Sequence, residues 1–402
     1  MAVYNVTRSV DIAVAENTLK RDVDESMLKL EPDAAPLWVL TNNAKKRAPA
    51  IAPKFEWFED AEAPLWGQVS NSTDYSSIAT TILVVDSTIF AVDDLIIVPT
   101  PTGAGKSAVD EVMLCTGSAG NSITVTRALG GTGTNQTLTS AAGLRILGQA
   151  CVEGGGVPTV RTTAKVNHTS ACQYFRTPIK TTEIMEATEA YSVPEGERMY
   201  QRGVALVRHR SEIEAAGLWG QFSETLAVAG SRWSTQGVKA TIQTNITDAS
   251  TTLTYSAMLQ FGEMGFRFGE KQKLCMAGPH VLSAFDYFSA NKILTAVSDT
   301  VFGVAIKKIV SNHGTYMIAN NFRMEAGIAG AAGFNDELYL IDLPSVSYRY
   351  LAGNGKNLNT KLYENVVQSG TAATVDEYRS MAGWQVRFEK KHGRMYNATA
   401  FA

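Results

Sequence analysis

The chain has 402 residues, 45% hydrophobic and 19% charged, with a net charge of −3, enough apolar surface for more than one buried core. That weakly acidic balance excludes a protein whose main task is to grip phosphate backbones, which demands a basic excess. Four cysteines, at 115, 151, 172 and 275, fit neither CxxC spacing nor a disulfide scaffold and read as free thiols. No run reaches the ~20 apolar residues of a bilayer span, and the N-terminus lacks a signal-peptide core, so neither membrane anchoring nor export is expected.

The first fifty residues read as an arm. Leu19, Val23, Met27 and Leu30 fall at helical spacing on a short amphipathic segment that stops at Pro32 and Pro36. Lys45, Lys46 and Arg47 then lead into an extended stretch reaching Pro53. Such a segment makes no core of its own, and its buried area is expected to lie between chains. Phe55 to Glu62, FEWFEDAE, is aromatic and acidic together. Glu56, Glu59, Asp60 and Glu62 resemble paired catalytic carboxylates less than a solvated acidic run that meets lysine and arginine. With Pro49 and Pro53 between the two charge clusters, pairing with the basic arm is expected across subunits.

Residues 79–150 change texture. Candidate strands TTILVV, DLIIV, DEVMLCT, SITVTR and LRIL alternate with Asp-Ser, Pro-Thr-Pro, Gly-Asn and Gly-Gly turns, the cadence of a small all-β insertion. Gly103-Ala104-Gly105-Lys106-Ser107 ends like a phosphate-binding loop, but Thr100 replaces the first glycine, Pro99 and Pro101 remove amide donors, and no long helix follows. A hairpin loop is the better reading.

From Ser192 to Ala229 the sequence predicts one long helix. Ser192 and Glu195 stand at capping-box spacing and Pro194 suits a first turn. Met199, Gly203, Leu206, Ile213 and Gly217 form its expected packing face, and Arg198, Arg202, His209 and Glu212 its wet face. Gly203, Gly217 and Gly220 each cost about 1 kcal/mol against alanine, so packing must hold it. A second helix is expected from Thr254 to Phe266, then a KLCMA strand, a helix opened by Pro279, a hairpin turning at Asn312-His313-Gly314, strands ELYLIDL and SYRYL, and a closing strand pair in WQVRFEKKHGRMYNATAF. The layout is mixed α+β. HExxH, GxSxG, GxGxxG and zinc-spaced Cys/His clusters are missing, and the five histidines are scattered, so no catalytic, cofactor or metal site is assigned.

The order of basic arm, FEWFED loop, ITVTRALGGT insertion, EGERMYQRGVALVRHRSEIEAAGLWG helix, GVAIKKIVSNHGTYMIANNFRM hairpin and closing EKKHGRMYNATAF resembles the major capsid proteins of tailed bacteriophages. The similarity is to the branch whose extended loop carries a small β-barrel-like insertion, and it covers nearly the whole chain. It implies the Hong Kong 97-type fold, with an arm at 1–50, an extended loop at 51–78 and 151–182, and an insertion domain at 79–150. A peripheral domain would take 183–249 and 351–402 with its spine helix at about 192–229, and an axial domain 250–350.

By the same resemblance the function is a structural protein self-assembling as hexamers and pentamers into an icosahedral head around double-stranded DNA. It would be made in the host cytoplasm and reside in the virion. Portal, separate scaffolding and decoration proteins are the implied partners. The alternatives are a β-rich decoration or attachment protein and, third, a nucleotide-binding enzyme using the glycine-lysine loop. Intersubunit contacts are expected at Lys45, Lys46, Arg47, Glu56, Glu59, Asp60 and Glu62.

Overall fold

A computed structural model describes residues 35–43, 46–99, 110–129, 137–158, 160–188, 196–227, 230–291, 296–301, 304–321, 323–325, 333–366 and 373–401. The chain divides into two compact units, one made of residues 1–57 and 168–402 and the other of residues 58–167.

In the larger unit a six-stranded sheet runs in the order Arg47–Ala50, Val346–Gly353, Ala373–Val386, Gln173–Thr182, with Lys356–Asn357 and Lys361–Tyr363 added alongside. Arg47–Ala50 lies parallel to its neighbour, Arg47 opposite Tyr348, and the other pairs are antiparallel. The long helix, Glu197–Trp219, packs on Gln173–Thr182 and Ala373–Val386. Its 23 residues make a rod of about 35 Å.

That helix is shorter than the expected 192–229. The capping box at Ser192 to Glu195 lies outside the described residues. At the other end Gly220 leaves helical geometry, and residues 223–227 form a strand paired with Gly230–Ser234. A β-carbon on Gly220 would sit 2.3 Å from the Ala216 carbonyl and 2.6 Å from that of Thr235, so the returning chain closes off any further turn.

The buried face also differs from expectation. Ala205, His209, Ile213 and Gly217 are buried at i, i+4 spacing, while Met199 and Gly203 are exposed. His209 moves from the wet face to the core because both ring nitrogens find hydroxyls: Nδ1 lies 2.8 Å from Thr177 Oγ1 and Nε2 2.7 Å from Ser380 Oγ. A histidine satisfied on both sides can be buried neutral. At Gly217 an added β-carbon would meet the Trp384 ring at 2.5 Å. That indole is 1% exposed and donates to the Ile213 carbonyl at 3.0 Å, so it has no room to yield.

Gly217→Ala should therefore destabilise the subunit. Overpacking costs about 1–3 kcal/mol, against the roughly 1 kcal/mol alanine gains in helix propensity. Gly203→Ala, with open space at its β-carbon, should gain up to about 1 kcal/mol. Denaturant midpoints of the two variants moving the same way would refute this.

A seven-stranded sheet forms the second layer, in the order Ile246–Asp248, Gly393–Tyr396, Leu338–Ile341, Gln272–Ala277, Thr315–Asn320, Val304–Val310, Ala296–Val301. The parallel pairs are Gln272–Ala277 with Thr315–Asn320, and Ile246–Asp248 with Gly393–Tyr396. Helix Tyr255–Gly265, capped by Thr254 Oγ1 on the Ala257 amide, and helix Pro279–Asn291 flank it. Leu274 to Ala277 and Leu338 to Ile341 are apolar at successive positions because each face of the sheet has its own core. Leu274, Met276, Tyr339 and Ile341 join one cluster with Trp384 and Ile213, and Cys275, Ala277, Leu338 and Leu340 join another with Phe261 and Phe285. The C-terminal segment expected to close as one strand pair instead splits: Ala373–Val386 belongs to the six-stranded sheet and Gly393–Tyr396 to this one.

The smaller unit is a closed antiparallel barrel in the order Trp66–Gln68, Gly143–Gln149, Asp94–Val98, Glu111–Ala119, Ser122–Thr126, Thr81–Leu83. The Val85 amide donates to the Gln68 carbonyl and the Ser70 amide to that of Leu83, both at 2.9 Å, which joins first strand to last and leaves no free edge. Ile82, Ile96, Met113, Ile123 and Leu144 fill the interior by period-two alternation. Trp66–Gln68, assigned to the extended loop from sequence, pairs inside this barrel.

Candidate assembly surfaces

Residues 35–50 are seated on their own chain. In helix Pro36–Asn43, Pro36 takes the first position, and Leu37 and Leu40 are 0% and 3% exposed within the main core. The Trp38 amide donates to Glu214 Oε2 at 3.1 Å, and Asn321 Nδ2 donates to Glu214 Oε1 at 2.7 Å. Burial pushes the Glu214 carboxyl up to about 8, and these donors pull against it. The Arg210 guanidinium lies over the Trp38 ring at 4.9 Å. Farther on, the Tyr348 amide donates to the Lys46 carbonyl at 2.8 Å as the arm joins the sheet edge. The expectation that the first fifty residues bury their area between chains is thus corrected for 35–43 and 46–50, because Leu37 and Leu40 are buried in the main core of their own chain.

Of the expected contact residues, Lys45 lies outside the described ones. Lys46 and Arg47 are exposed at the start of the arm strand, where Arg47 Nη1 donates to Asn42 Oδ1 at 3.4 Å. Glu56 and Glu59 belong to strand Lys54–Glu59, which pairs with Val166–Ala171. Asp60 and Glu62 follow it, exposed. Lys54 Nζ stands 3.6 Å from Glu56 and 3.5 Å from Glu224. Among the described residues, Lys46 and Arg47 make no ion pair with the four acids.

The same stretches expose large apolar side chains. Ile51, Phe58 and Val157 are 90%, 70% and 92% exposed, and Val152, Val160 and Val166 are also exposed. Exposed apolar side chains concentrated in this way make both segments candidates for contacts with other chains.

An ion cluster missed from sequence braces the long helix. Asp376, 1% exposed, accepts from Arg198 Nε at 2.8 Å and Nη2 at 2.7 Å, Arg202 Nε at 2.8 Å and the Asn365 amide at 3.0 Å. The Arg198 guanidinium, foremost, holds its carboxyl well below the usual carboxylate range. Arg198 and Arg202, at i, i+4, were the visible half of this cluster; the acid lies 178 residues from Arg198.

The glycine-lysine loop lies outside the described residues, and the chain after it runs as strand Glu111–Ala119, without the helix a phosphate loop needs. Among the described residues no group of three His, Cys, Asp or Glu could hold a metal ion, and no helix is long and apolar enough to cross a membrane. All four cysteines are free.

Comparison with curated protein sequences gives no match. Among solved structures, the capsid of a native GTA particle aligns with a TM-score of 0.51 at 9% identity, over 98% of this chain and 100% of that one. Mycobacterium phage Ogopogo aligns at 0.45 and 9% identity over 99% and 100%, and Gordonia phage Cozz at 0.45 and 10% over 100% and 97%. A family model described as SU10 major capsid protein matches residues 5–399. Its arm, covered rod, two-core sheet and inserted barrel are therefore those of a chain that belongs to the SU10 major capsid protein family, a structural, self-associating α+β subunit with the Hong Kong 97-type fold from the icosahedral head of a tailed phage.

Proposed function

We propose that the subunit works without catalysis, closing with its copies as hexamers and pentamers around packaged double-stranded DNA. The observation that carries this reading is the family match across residues 5–399. Assembly takes place in the bacterial host cytoplasm, with a separate scaffolding protein and a portal, and a decoration protein where the shell is reinforced. On this reading residues 1–50 are the arm, 51–78 and 151–182 the extended loop, of which Trp66–Gln68 pairs into the barrel, and 79–150 the rest of the insertion. Residues 183–249 and 351–402 are the peripheral domain, and 250–350 the axial domain. A net charge of −3 supports a wall that encloses DNA without gripping it. Negative-stain microscopy of the purified protein, with and without ATP, tests the reading: shells, hexamers or pentamers are expected, and trimers, fibres or an ATP-dependent particle would refute it.

The arm cations Lys45, Lys46 and Arg47 find their partners on adjacent subunits among the acids of the set Glu56, Glu59, Asp60 and Glu62. Each exposed pair contributes about 0–1 kcal/mol, but symmetry repeats it around the shell. Reversing the three cations to glutamate should lower particle yield in sedimentation while subunits stay folded, and reversing the four acids as well should partly restore it. A double reversal no better than the worse single one would mean that these charges act separately.

A further inference from the structure

The segment after helix Tyr255–Gly265 carries two cations, Arg267 and Lys271, that form no ion pair among the described residues. A cleft of about 360 Å³ is lined by Glu263, Met264, Phe266, Arg267, Lys271 and His313. Lys273, buried beneath, donates from Nζ to the carbonyls of Gly265, Phe268 and Lys391, each at 2.6 Å, tying the 265–268 turn to the 388–392 turn. On the far side a β-carbon on Gly314 would strike the Phe266 ring at 2.5 Å, so the hairpin turn is pressed against the floor. At the rim Phe268 is 45% and Met264 39% exposed, with the Arg267 guanidinium over the Phe268 ring at 5.4 Å.

Among the described residues neither Arg267 nor Lys271 has a carboxylate within ion-pair distance. The polar bond of the Lys271 ammonium is to the Phe266 carbonyl at 3.2 Å. Two cations without a carboxylate partner among the described residues, beside the exposed Phe268 ring and Met264, form a receptor for an acidic segment that also carries an apolar residue.

The chain itself contains a segment of the complementary kind. Asp60 and Glu62 are exposed, two residues apart, and unpaired among the described residues, and Phe58 beside them is 70% exposed. We propose that the cleft between helix Tyr255–Gly265 and the His313 turn receives Asp60 and Glu62 of a second copy of this chain, with Phe58 against the Met264 and Phe268 rim. The contact rests on the many-copy assembly of the family and assigns two of the loop acids to partners other than the arm.

The test uses assembled particles made from an equal mixture of ordinary and nitrogen-15 subunits, treated with a zero-length carbodiimide that joins carboxylates to lysines. Lys271 should appear linked to Asp60 or Glu62, with mixed-label pairs present. Links from Lys271 that carry one label only, or links of Asp60 and Glu62 to Lys45 or Lys46 with none to Lys271, would overturn the proposal; the second result would leave the arm pairing standing. A second arm combines Arg267→Glu with Lys271→Glu, checked for folding by circular dichroism and backed by Arg267→Gln with Lys271→Gln. Particle yield should fall about tenfold for the reversal and recover at least halfway when Asp60→Lys and Glu62→Lys are added. No recovery, or altered DNA content at unchanged particle yield, would overturn it.

Discussion

A subunit lacking residues 1–34 is expected to fold with native circular dichroism, and one lacking residues 1–50 to be unfolded or insoluble. Both truncations remove the amphipathic Leu19 to Leu30 segment, and they differ in helix Pro36–Asn43 and strand Arg47–Ala50. Losing a buried leucine side chain costs about 2–5 kcal/mol, and both Leu37 and Leu40 are lost. Glu214 would also lose the Trp38 amide, and a buried carboxyl short of a donor costs roughly 1–3 kcal/mol more. The sum rivals a typical domain stability of about 5–15 kcal/mol. Equal thermal midpoints for the two truncated proteins would show that the arm helix is dispensable to its own chain.

Acid should remove the contributions of His392 and Asp376 in two separate windows. His392 is fully buried: its Nδ1 accepts from the Asp342 amide at 3.2 Å and its Nε2 donates to the Arg387 carbonyl at 3.1 Å. A proton on Nδ1 would point at an N–H donor, and burial further pushes the imidazole down from 6.5 to about 4. Burial lowers His209 as well. Below pH 6.5 the unfolded chain takes up protons that the native state refuses, so stability falls as pH drops toward 4. For His392 the loss is on the order of 3 kcal/mol. Asp376 acts later, because its folded-state carboxyl lies below the ordinary 3.8 and its contribution disappears only in stronger acid. Glu214, whose carboxyl is raised from 4.5 to about 8, acts in the opposite sense, so the His392 contribution is read as a difference: the denaturant midpoint of the wild type minus that of His392→Gln should fall from pH 7 to 4. Parallel slopes in the two proteins would remove His392 from the account.

The barrel strands were legible because each alternates apolar and polar residues between turn signals, and a closed barrel with one wet face preserves that period. The same alternation is invisible in Leu274 to Ala277, where both faces are buried, so sequence shows a strand there but not that it separates two cores. His209 was misassigned because polarity alone cannot reveal the hydroxyls of Thr177 and Ser380 that wait for its ring. Glu214 was not legible at all: its donors lie 176 and 107 residues away. For the proposed intersubunit contacts, charge and spacing pick out Lys45 to Arg47 and Glu56, Glu59, Asp60 and Glu62. They do not show that Lys54 already engages Glu56 and Glu224.

The sheet that serves two cores acts as a party wall. Because Leu274 and Met276 face one side while Cys275 and Ala277 face the other, neither layer can melt without stripping cover from the strand it shares with its neighbour. The larger unit should then unfold in one cooperative step, with the amides of residues 272–277 among the last to exchange with solvent deuterium. A subunit hinged between independent halves would show two steps and early exchange there. For a shell wall, the distinction decides how strain travels: a load applied to one layer reaches the other through a single strand's thickness, with no soft seam between them to absorb it.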